Sequence, residues 1–384
     1  MPTYNQTNLD YFTYEDNRKE ILFTRITKYI DKILCSVIDF KMGSNCNYSN
    51  LDTLSVLVHA AKDNFCVEDS SEGLRDPNNL LFPSGETVLY HIKKYDNNEI
   101  LELFNKVNSS IFKLAKRKGS LHNKVDVAID CTDELYYGNK NASMVVGRKH
   151  KNGTSKAYRF ATLSIVEKDQ RFILAAFPVS AFTNTKTMIK YLLKYASTIV
   201  KIKNVYLDRG FFSVDAIATL TEMKAFYYVM PAIKNSKIKK MAQQFHAPHF
   251  CEYTMGTKSK NTTLNLAFIE DPNNFDDKRI FATNLPLEKL KDLDLSKIYR
   301  KRWGIETGYR MRNVFRARTT SKNYKIRLFL FMLSVCLYNL WVLTKLSIRI
   351  TYFINEKNSI ITAKNFASNL DELLKSRAWD YFRF

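Results

Sequence analysis

The sequence predicts an α/β protein: a mixed sheet with flanking helices, preceded by a helical N-terminal segment. Three observations carry that expectation. Up to about residue 120, apolar residues recur at three- and four-residue spacing, as in RKEILFTRITKYIDKILCSVIDF (18–40) and NNEILELFNKVNSSIFKLAKRK (97–118). From residue 124 the pattern alternates, with Val125, Val127, Ile129 and Cys131 on one face. Beyond that point strand-like and helix-like stretches succeed one another, which implies parallel crossovers.

Taken in order, the N-terminal helices include GETVLYHIKKY (85–95), for which Ser84 is the expected N-cap. This short basic helix reads either as the second helix of a helix-turn-helix, with Tyr90, His91, Lys93 and Lys94 facing DNA bases, or as an ordinary amphipathic helix. Three strands follow at KVDVAIDCT (124–132), AYRFATLSIVE (157–167) and RFILAAFPVS (171–180). A helix at 185–201, a strand VYLD (205–208), a helix at 214–223 and a strand at 225–233 complete the first part of the core. Residues 234–279 are polar and turn-rich, with strand candidates CEYTM and TLNLAFIE, and read as a β-rich insertion. Strand texture resumes at RIFATNL (279–285), and a long basic helix is expected from about Leu295. The resulting division is a helical domain 1–120, a core in two parts (121–233 and 280–350) around the insertion 234–279, and a tail 351–384.

Composition narrows the function classes. The formal net charge is +21, which predicts a polyanionic partner. Six cysteines without C-x-x-C spacing give neither a disulfide framework nor a zinc ribbon, and the N-terminus lacks signal-peptide layout, so a reducing cytoplasm is the expected compartment. His246, His249 and Cys251 lack a fourth ligand for zinc. There is no phosphate-binding glycine loop, so no nucleotide cofactor is expected. Leu328–Thr344 is a run of 17 residues without a charge, at the short end of a membrane span; it reads as a buried core helix, with no membrane partner.

Three acidic residues stand out. Asp130 closes VDVAID and Asp208 closes VYLD, and ligands bind open α/β sheets beyond the carboxyl ends of strands. Two carboxylates there would suit Mg²⁺ or Mn²⁺, although each alone reads equally as a turn former or helix cap. Asp126 shares the face of Asp130 but lies about 13 Å back along the strand. Asp133 and Glu134 are expected in the following loop. Glu306 is the only acid between Lys297 and Arg318, among eight basic residues. A helix places Tyr299, Arg302, Glu306, Arg310 and Asn313 within about 80° of one another. That pattern fits a solvated ion pair as well as a metal ligand among phosphate-binding arginines.

Taken together, IDCTDELYYG (129–138), YLDRGFFS (206–213) and YRKRWGIETGYRMRN (299–313) resemble the DDE transposases of prokaryotic insertion sequences, and in wording the archaeal members. The narrower likeness is to the group with a Tyr-x2-Arg-x3-Glu-x6-Lys signature, matched in register by Tyr299, Arg302 and Glu306. The resemblance runs from about residue 124 to 345. It implies an RNase H-like catalytic core, two Mg²⁺ or Mn²⁺ ions held by Asp130, Asp208 and Glu306, and DNA cleavage followed by joining of 3′-OH ends to target DNA. It also implies the element's terminal repeats and target DNA as partners, a homodimer on DNA, and action at the nucleoid.

In that reading Tyr299 and Arg302 hold a phosphate, and a basic loop carrying Arg148, Lys149, His150 and Lys151, with Lys156 beyond it, contacts the DNA backbone. Trp303 either stacks on a base or belongs to the core. One position departs from the signature: its final Lys falls on Asn313, and Arg310, on the face of Glu306, would supply the missing cation. The alternatives are a catalytically impaired, DNA-binding descendant and a structure-specific nuclease of the same fold.

Overall fold

A computed structural model of the chain describes residues 20–75, 82–271, 274–352 and 361–381. The chain divides into two compact units: Gly119–Tyr309, which is built on a sheet, and Met1–Lys118 together with Arg310–Phe384, which is helical among its described residues.

The sheet unit has nine strands: β1 (Val125–Leu135), β2 (Val145–Lys151), β3 (Thr154–Ile165), β4 (Ile173–Val179), β5 (Ile202–Leu207), β6 (Tyr227–Pro231), β7 (His249–Gly256), β8 (Asn261–Asp271) and β9 (Asn274–Thr283). They lie in the order β2-β3-β1-β5-β6-β9-β8-β7, with β4 also paired to β3. The ladders β1–β5 and β5–β6 are parallel and the others antiparallel, giving a mixed sheet. Helix Thr185–Ile199 leads from β4 into β5 and helix Val214–Glu222 joins β5 to β6, both with buried apolar faces. Their N-caps are Asn184 and Ser213, each accepting a backbone N–H of the first turn.

Three expectations about this unit need correction. β1 does not end at Asp130: it continues to Leu135, because β3 keeps pairing with it as far as Leu135↔Ala157. Asp133 and Glu134 are therefore strand residues, not loop residues. The basic stretch Arg148–Lys151 is also no loop. It forms β2, which turns into β3 through Asn152 and Gly153, both at positive φ. Such a two-residue Asn-Gly turn matches the twist of a hairpin, and Asn-Gly is the dipeptide that favours it.

The polar segment 234–279 extends the same sheet, since β9 pairs β6 on one side and β8 on the other. It also contains a helix, Ser236–Gln244, capped by Asn235. Finally, the long basic helix is broken. Leu295–Arg300 and Trp303–Arg312 are separate helices, joined by backbone bonds from Arg302 N–H to Tyr299 and from Ile305 N–H to Arg302.

In the helical unit, helix Tyr324–Tyr352 is apolar and long enough to cross a membrane by length and composition, yet its most apolar stretch is wholly buried within the protein. Phe329 packs against Phe40, Tyr95 and Phe104, and the buried amide of Asn339 donates to Asn108. Helix Ala363–Tyr381, inside the expected tail, lies against helix Asn50–Asp63, where buried Asp371 meets His59, Lys62 and Lys375. The N-terminal helices thus share their core with the last part of the chain, which the expected boundaries separated from them.

Helix Gly85–Lys93 begins at Ser84, whose hydroxyl accepts from Thr87 N–H. A Cβ on Gly85 would stand 2.6 Å from Glu68 Cα, so only glycine permits this close approach to helix Val67–Leu74. Tyr90, Lys93 and Lys94 are exposed. His91 is not: it is buried and its Nδ1 meets the Phe40 carbonyl at 2.9 Å. Its spacing puts it on the core face of the amphipathic helix, so it is withdrawn from the exposed set.

Candidate active site

The site starts from the register of β1 and β5. Their last parallel pair is Ile129↔Leu207, so Asp130 and Asp208 are the next residues on neighbouring strands, about 5 Å apart in the backbone. Val127, Ala128, Ile129, Val205, Tyr206 and Leu207 are almost wholly buried, which fixes the register and forces the two carboxylates to the end of the ladder. Asp130 accepts its neighbour's N–H from Cys131 at 2.8 Å, and Asp208 accepts from Arg209 N–H at 2.7 Å as it starts a single 3₁₀ turn.

Glu306 arrives from helix Trp303–Arg312. The Arg302 guanidinium donates to Glu306 Oε1 at 2.6 Å and lies 3.4 Å from Asp130 Oδ2, so one cation stands against two of the three acids. Arg302 in turn lies over the Tyr299 ring at 5.9 Å, and the Tyr299 hydroxyl donates to the Leu207 carbonyl at 3.1 Å. Tyr299 thus reaches the end of β5, and Arg302 links Glu306 to Asp130 on β1. Arg310 and Asn313 belong to the other compact unit; Asn313 Oδ1 accepts from the buried Arg312 guanidinium at 2.8 Å.

Electrostatics single out Asp130. Burial pushes its carboxyl up to about 6, and the neighbouring charges of Asp208 and Glu306 push the same way, while the Cys131 N–H and Arg302 oppose them. Burial likewise raises the Tyr299 phenol, which keeps it a hydrogen-bond donor.

The donor set of three carboxylates, with no sulfur or imidazole among them, fits a hard divalent cation that would relieve this crowding. Among the described residues no three His, Cys, Asp or Glu side chains already converge into a metal shell, and the positive charge between Asp130 and Glu306 comes from Arg302.

Three residues outside the expected set hold this arrangement. Tyr309, one turn after Glu306, bonds the Asp130 carbonyl at 3.0 Å and the Thr162 hydroxyl at 2.7 Å. Lys301 reaches Asp126 at 2.6 Å, and the Asp126 carboxylate is otherwise filled by Asn204 and Tyr206 at 2.7 and 3.1 Å. Asp126 is thus a buried anchor for the turn between the two helices. Gly304 brings the Glu306 helix against β3's end: a Cβ there would lie 2.8 Å from the Val166 carbonyl oxygen. A run of Lys301, Arg302, Trp303 and Gly304 carried no sign of these contacts, because their partners lie in distant segments.

Other expected residues fall around the site. Trp303 is 64% exposed, so it is not core. With Tyr299, Arg209, Lys234, Arg279 and Arg300 it lines a cavity of about 850 Å³. Within it Lys234 pairs with Asp277, and Arg279 with Asp271 at 2.8 Å. On the opposite side of β1, Asp133 is held by Arg159 in a two-pronged ion pair (2.7 and 3.0 Å), with Arg148 at 3.8 Å. Lys149 and Lys151 are exposed on β2, and Lys156 donates to the Gly138 carbonyl.

Comparison with known proteins bears on this geometry. The family model described as transposase DDE domain matches residues 127–340, more than half the chain, and that span includes all three acids. Among solved structures, the cryo-EM structure of a piggyBac transposase synaptic complex with hairpin DNA superposes with a TM-score of 0.60 at 13% identity, covering 95% of this chain and 81% of that one. At that identity the likeness is one of fold, and it agrees with an RNase H-like α/β core. No curated protein sequence matches the chain.

Proposed function

Because the chain belongs to the DDE transposase family, we propose that it cuts phosphodiester bonds at the ends of its own insertion sequence and joins the freed ends to target DNA by a cut-and-paste route. The observation that supports this reading is that Asp130 and Asp208 follow the last pair of the β1–β5 ladder while Arg302 bonds both Asp130 and Glu306. Asp130, Asp208 and Glu306 would hold two Mg²⁺ or Mn²⁺ ions. Bound there, the ions supply Lewis-acid activation of the attacking and leaving oxygens.

The chain's own groups position the DNA. Arg302 and Tyr299 hold a phosphate next to the acids. Support comes from Arg302 Nε, a buried donor with no acceptor among the described residues. In the first step a water oxygen bonds to phosphorus while the bond to the 3′ oxygen breaks, leaving a 3′-OH. That hydroxyl then attacks a phosphodiester of the opposite strand or of the target. One phosphodiester forms as another breaks, so no nucleotide cofactor is needed. Arg148, Lys149, Lys151, Arg310 and Asn313 would contact the DNA backbone, Asn313 as an uncharged hydrogen-bonding group. Tyr90, Lys93, Lys94 and Trp303 are the candidates for base contacts. Two ends must be processed together, which calls for a homodimer on DNA, acting at the nucleoid.

The test is a labelled duplex spanning the junction between the element's end and its flank, incubated with protein in Mg²⁺, Mn²⁺ or EDTA. The reading requires cuts at the boundary in either metal, none in EDTA, and joined products when target DNA is added. Tight binding without cuts in either metal would instead identify a catalytically impaired, DNA-binding descendant. Cutting without joining would identify a nuclease.

A further inference from the structure

Residues 135–166 contain no Asp or Glu, in a chain where acids make up 38 of 384 residues. The same stretch holds Lys140, Arg148, Lys149, Lys151, Lys156 and Arg159. Its centre folds as a two-stranded ribbon. β4 pairs with β3 only from Arg159 onward, and β1 ends at Leu135↔Ala157. Beyond that level β2 is the strand that pairs with β3, out to Lys151↔Thr154 and the Asn152-Gly153 turn.

The ribbon is braced rather than slack. Tyr136 N–H donates to the Lys156 carbonyl at 3.0 Å, Thr154 Oγ1 to the Tyr136 carbonyl at 2.7 Å, and the Tyr137 hydroxyl to the Asn152 carbonyl at 2.8 Å. Its cations are not equivalent. Lys156 donates to the Gly138 carbonyl and Arg148 Nε lies 3.8 Å from Asp133, so both are engaged at the ribbon's base. His150 Nδ1 meets Ser155 Oγ at 3.2 Å. Lys149 and Lys151 are exposed, and among the described residues neither has an ion-pair partner.

Register gives the ribbon its direction. Asp130 pairs with Thr162 and β3 runs antiparallel to β1, so the ribbon projects past Asp130 in the direction in which β1 and β5 run. Side chains alternate along a regular strand, which puts Thr154 on the face of Thr162 and Asp130; Lys151, opposite Thr154, shares that face. From the level of Thr162 to the levels of Lys156 and Thr154 is about 20–26 Å at ~3.3 Å per residue. Along a duplex that span is about six to eight base pairs.

A narrow cationic ribbon has a shape that the major groove admits, and lysines are point charges that take phosphates without reading bases. An element inserted at many sites meets a different flank at each, so whatever holds the flank must do so independently of sequence. We propose that the β2–β3 ribbon grips the flanking duplex about six to eight base pairs from the cut, with Lys149 and Lys151 on its phosphates. This inference rests on the transposase reading above and assigns a partner to one of its basic surfaces.

The test varies the flank while the element side is held constant. Full-length protein, Lys149→Ala/Lys151→Ala and Lys149→Arg/Lys151→Arg are given junction duplexes with flanks of about 4 or about 16 base pairs, which fall short of and pass the ribbon. A further duplex is shortened on the element side instead. Cleavage is measured in Mg²⁺ and binding in EDTA. Wild-type protein should bind and cut the long-flank duplex about tenfold better than the short one at ~0.15 M salt. The alanine pair should lose that advantage and the arginine pair should keep it. With the alanines, the slope of log affinity against log salt on the long flank should also fall by about two.

The proposal is overturned if the alanine pair still favours the long flank, or if its deficit follows the length of the element side. An equal loss on every duplex would also overturn it, by assigning the lysines to the fold or to general attraction for DNA. If wild-type protein cuts no ends, the transposase reading has failed, and binding in EDTA still decides whether the ribbon holds the flank.

Discussion

Asp130 is held above the ordinary carboxylate range. Its carboxyl is pushed up to about 6, first by burial and then by the two acids beside it. The sign of the consequence follows from linkage. A carboxyl with a raised folded pKa favours the folded state only while protonated, so this contribution is lost as pH rises from the ordinary carboxylate range through about 6. A divalent cation bound by the same oxygens must displace that proton. Affinity for Mg²⁺ should therefore rise by up to about tenfold per unit below pH 6 and level off above it. Calorimetric titration in buffers of different ionisation enthalpy should show proton release below about pH 6, and Asp130→Asn should lose both the release and most of the affinity. A pH-independent affinity would mean that Asp130 is not a ligand. Asp208 was legible as a strand end because Arg209-Gly210 breaks the pattern beside it, whereas Asp130 was read as a strand end although β1 runs on to Leu135. The anchor Asp126–Lys301 was not legible, since its partners are 175 residues apart and neither has a local pattern to mark it.

At the scale of elements, the site depends on how the Glu306 helix is seated. The sequence suggested one continuous helix from Leu295, on which spacing grouped Tyr299, Arg302, Glu306, Arg310 and Asn313; in the structure Arg302 meets Tyr299 and Glu306 across a break in that helix. The observed break at Lys301 and Arg302 arises from tertiary contacts: Lys301 turns to Asp126, and Gly304 presses on the Val166 backbone. Gly304→Ala tests that seating. Its methyl would meet the Val166 carbonyl oxygen at 2.8 Å, so either the helix or β3's end must shift. The expected cost is about 1–3 kcal/mol of stability, read as a lower melting temperature. Cleavage should fall further than stability alone explains, because Glu306 moves with the helix. Wild-type cleavage in this variant would show that the seating is not critical. Similar reasons explain which strands were legible: alternation marked β1, β3 and β4, whereas β2 was hidden by its charges although Asn152-Gly153 announced its hairpin.

At the scale of the whole molecule, the two compact units differ in how they could be read. The sheet unit follows the order of strands and helices in the sequence, and its extension by β7, β8 and β9 was visible as strand candidates, though not as a continuation of one sheet. The helical unit joins the first 118 residues to the last 75, a closure that no local signal announces. Its long helix was legible as core because the uncharged run is only 17 residues, short for a span, and carries Ser334 and Asn339. The excess of 21 positive charges belongs to the chain as a whole and suits a polyanion, but charge alone does not distinguish binding from cutting.

That distinction rests on three carboxylates acting as one site. The most direct measurement compares end-cleavage rates of Asp130→Asn, Asp208→Asn and Glu306→Gln with wild type, at saturating Mn²⁺, with DNA affinity measured in the same samples. The account predicts that each change lowers cleavage by about a thousandfold or more while affinity for the element's end stays within a few-fold, because all three are needed to hold the ions and none is needed to hold the duplex. Cleavage within tenfold of wild type by any one of the three variants would contradict it.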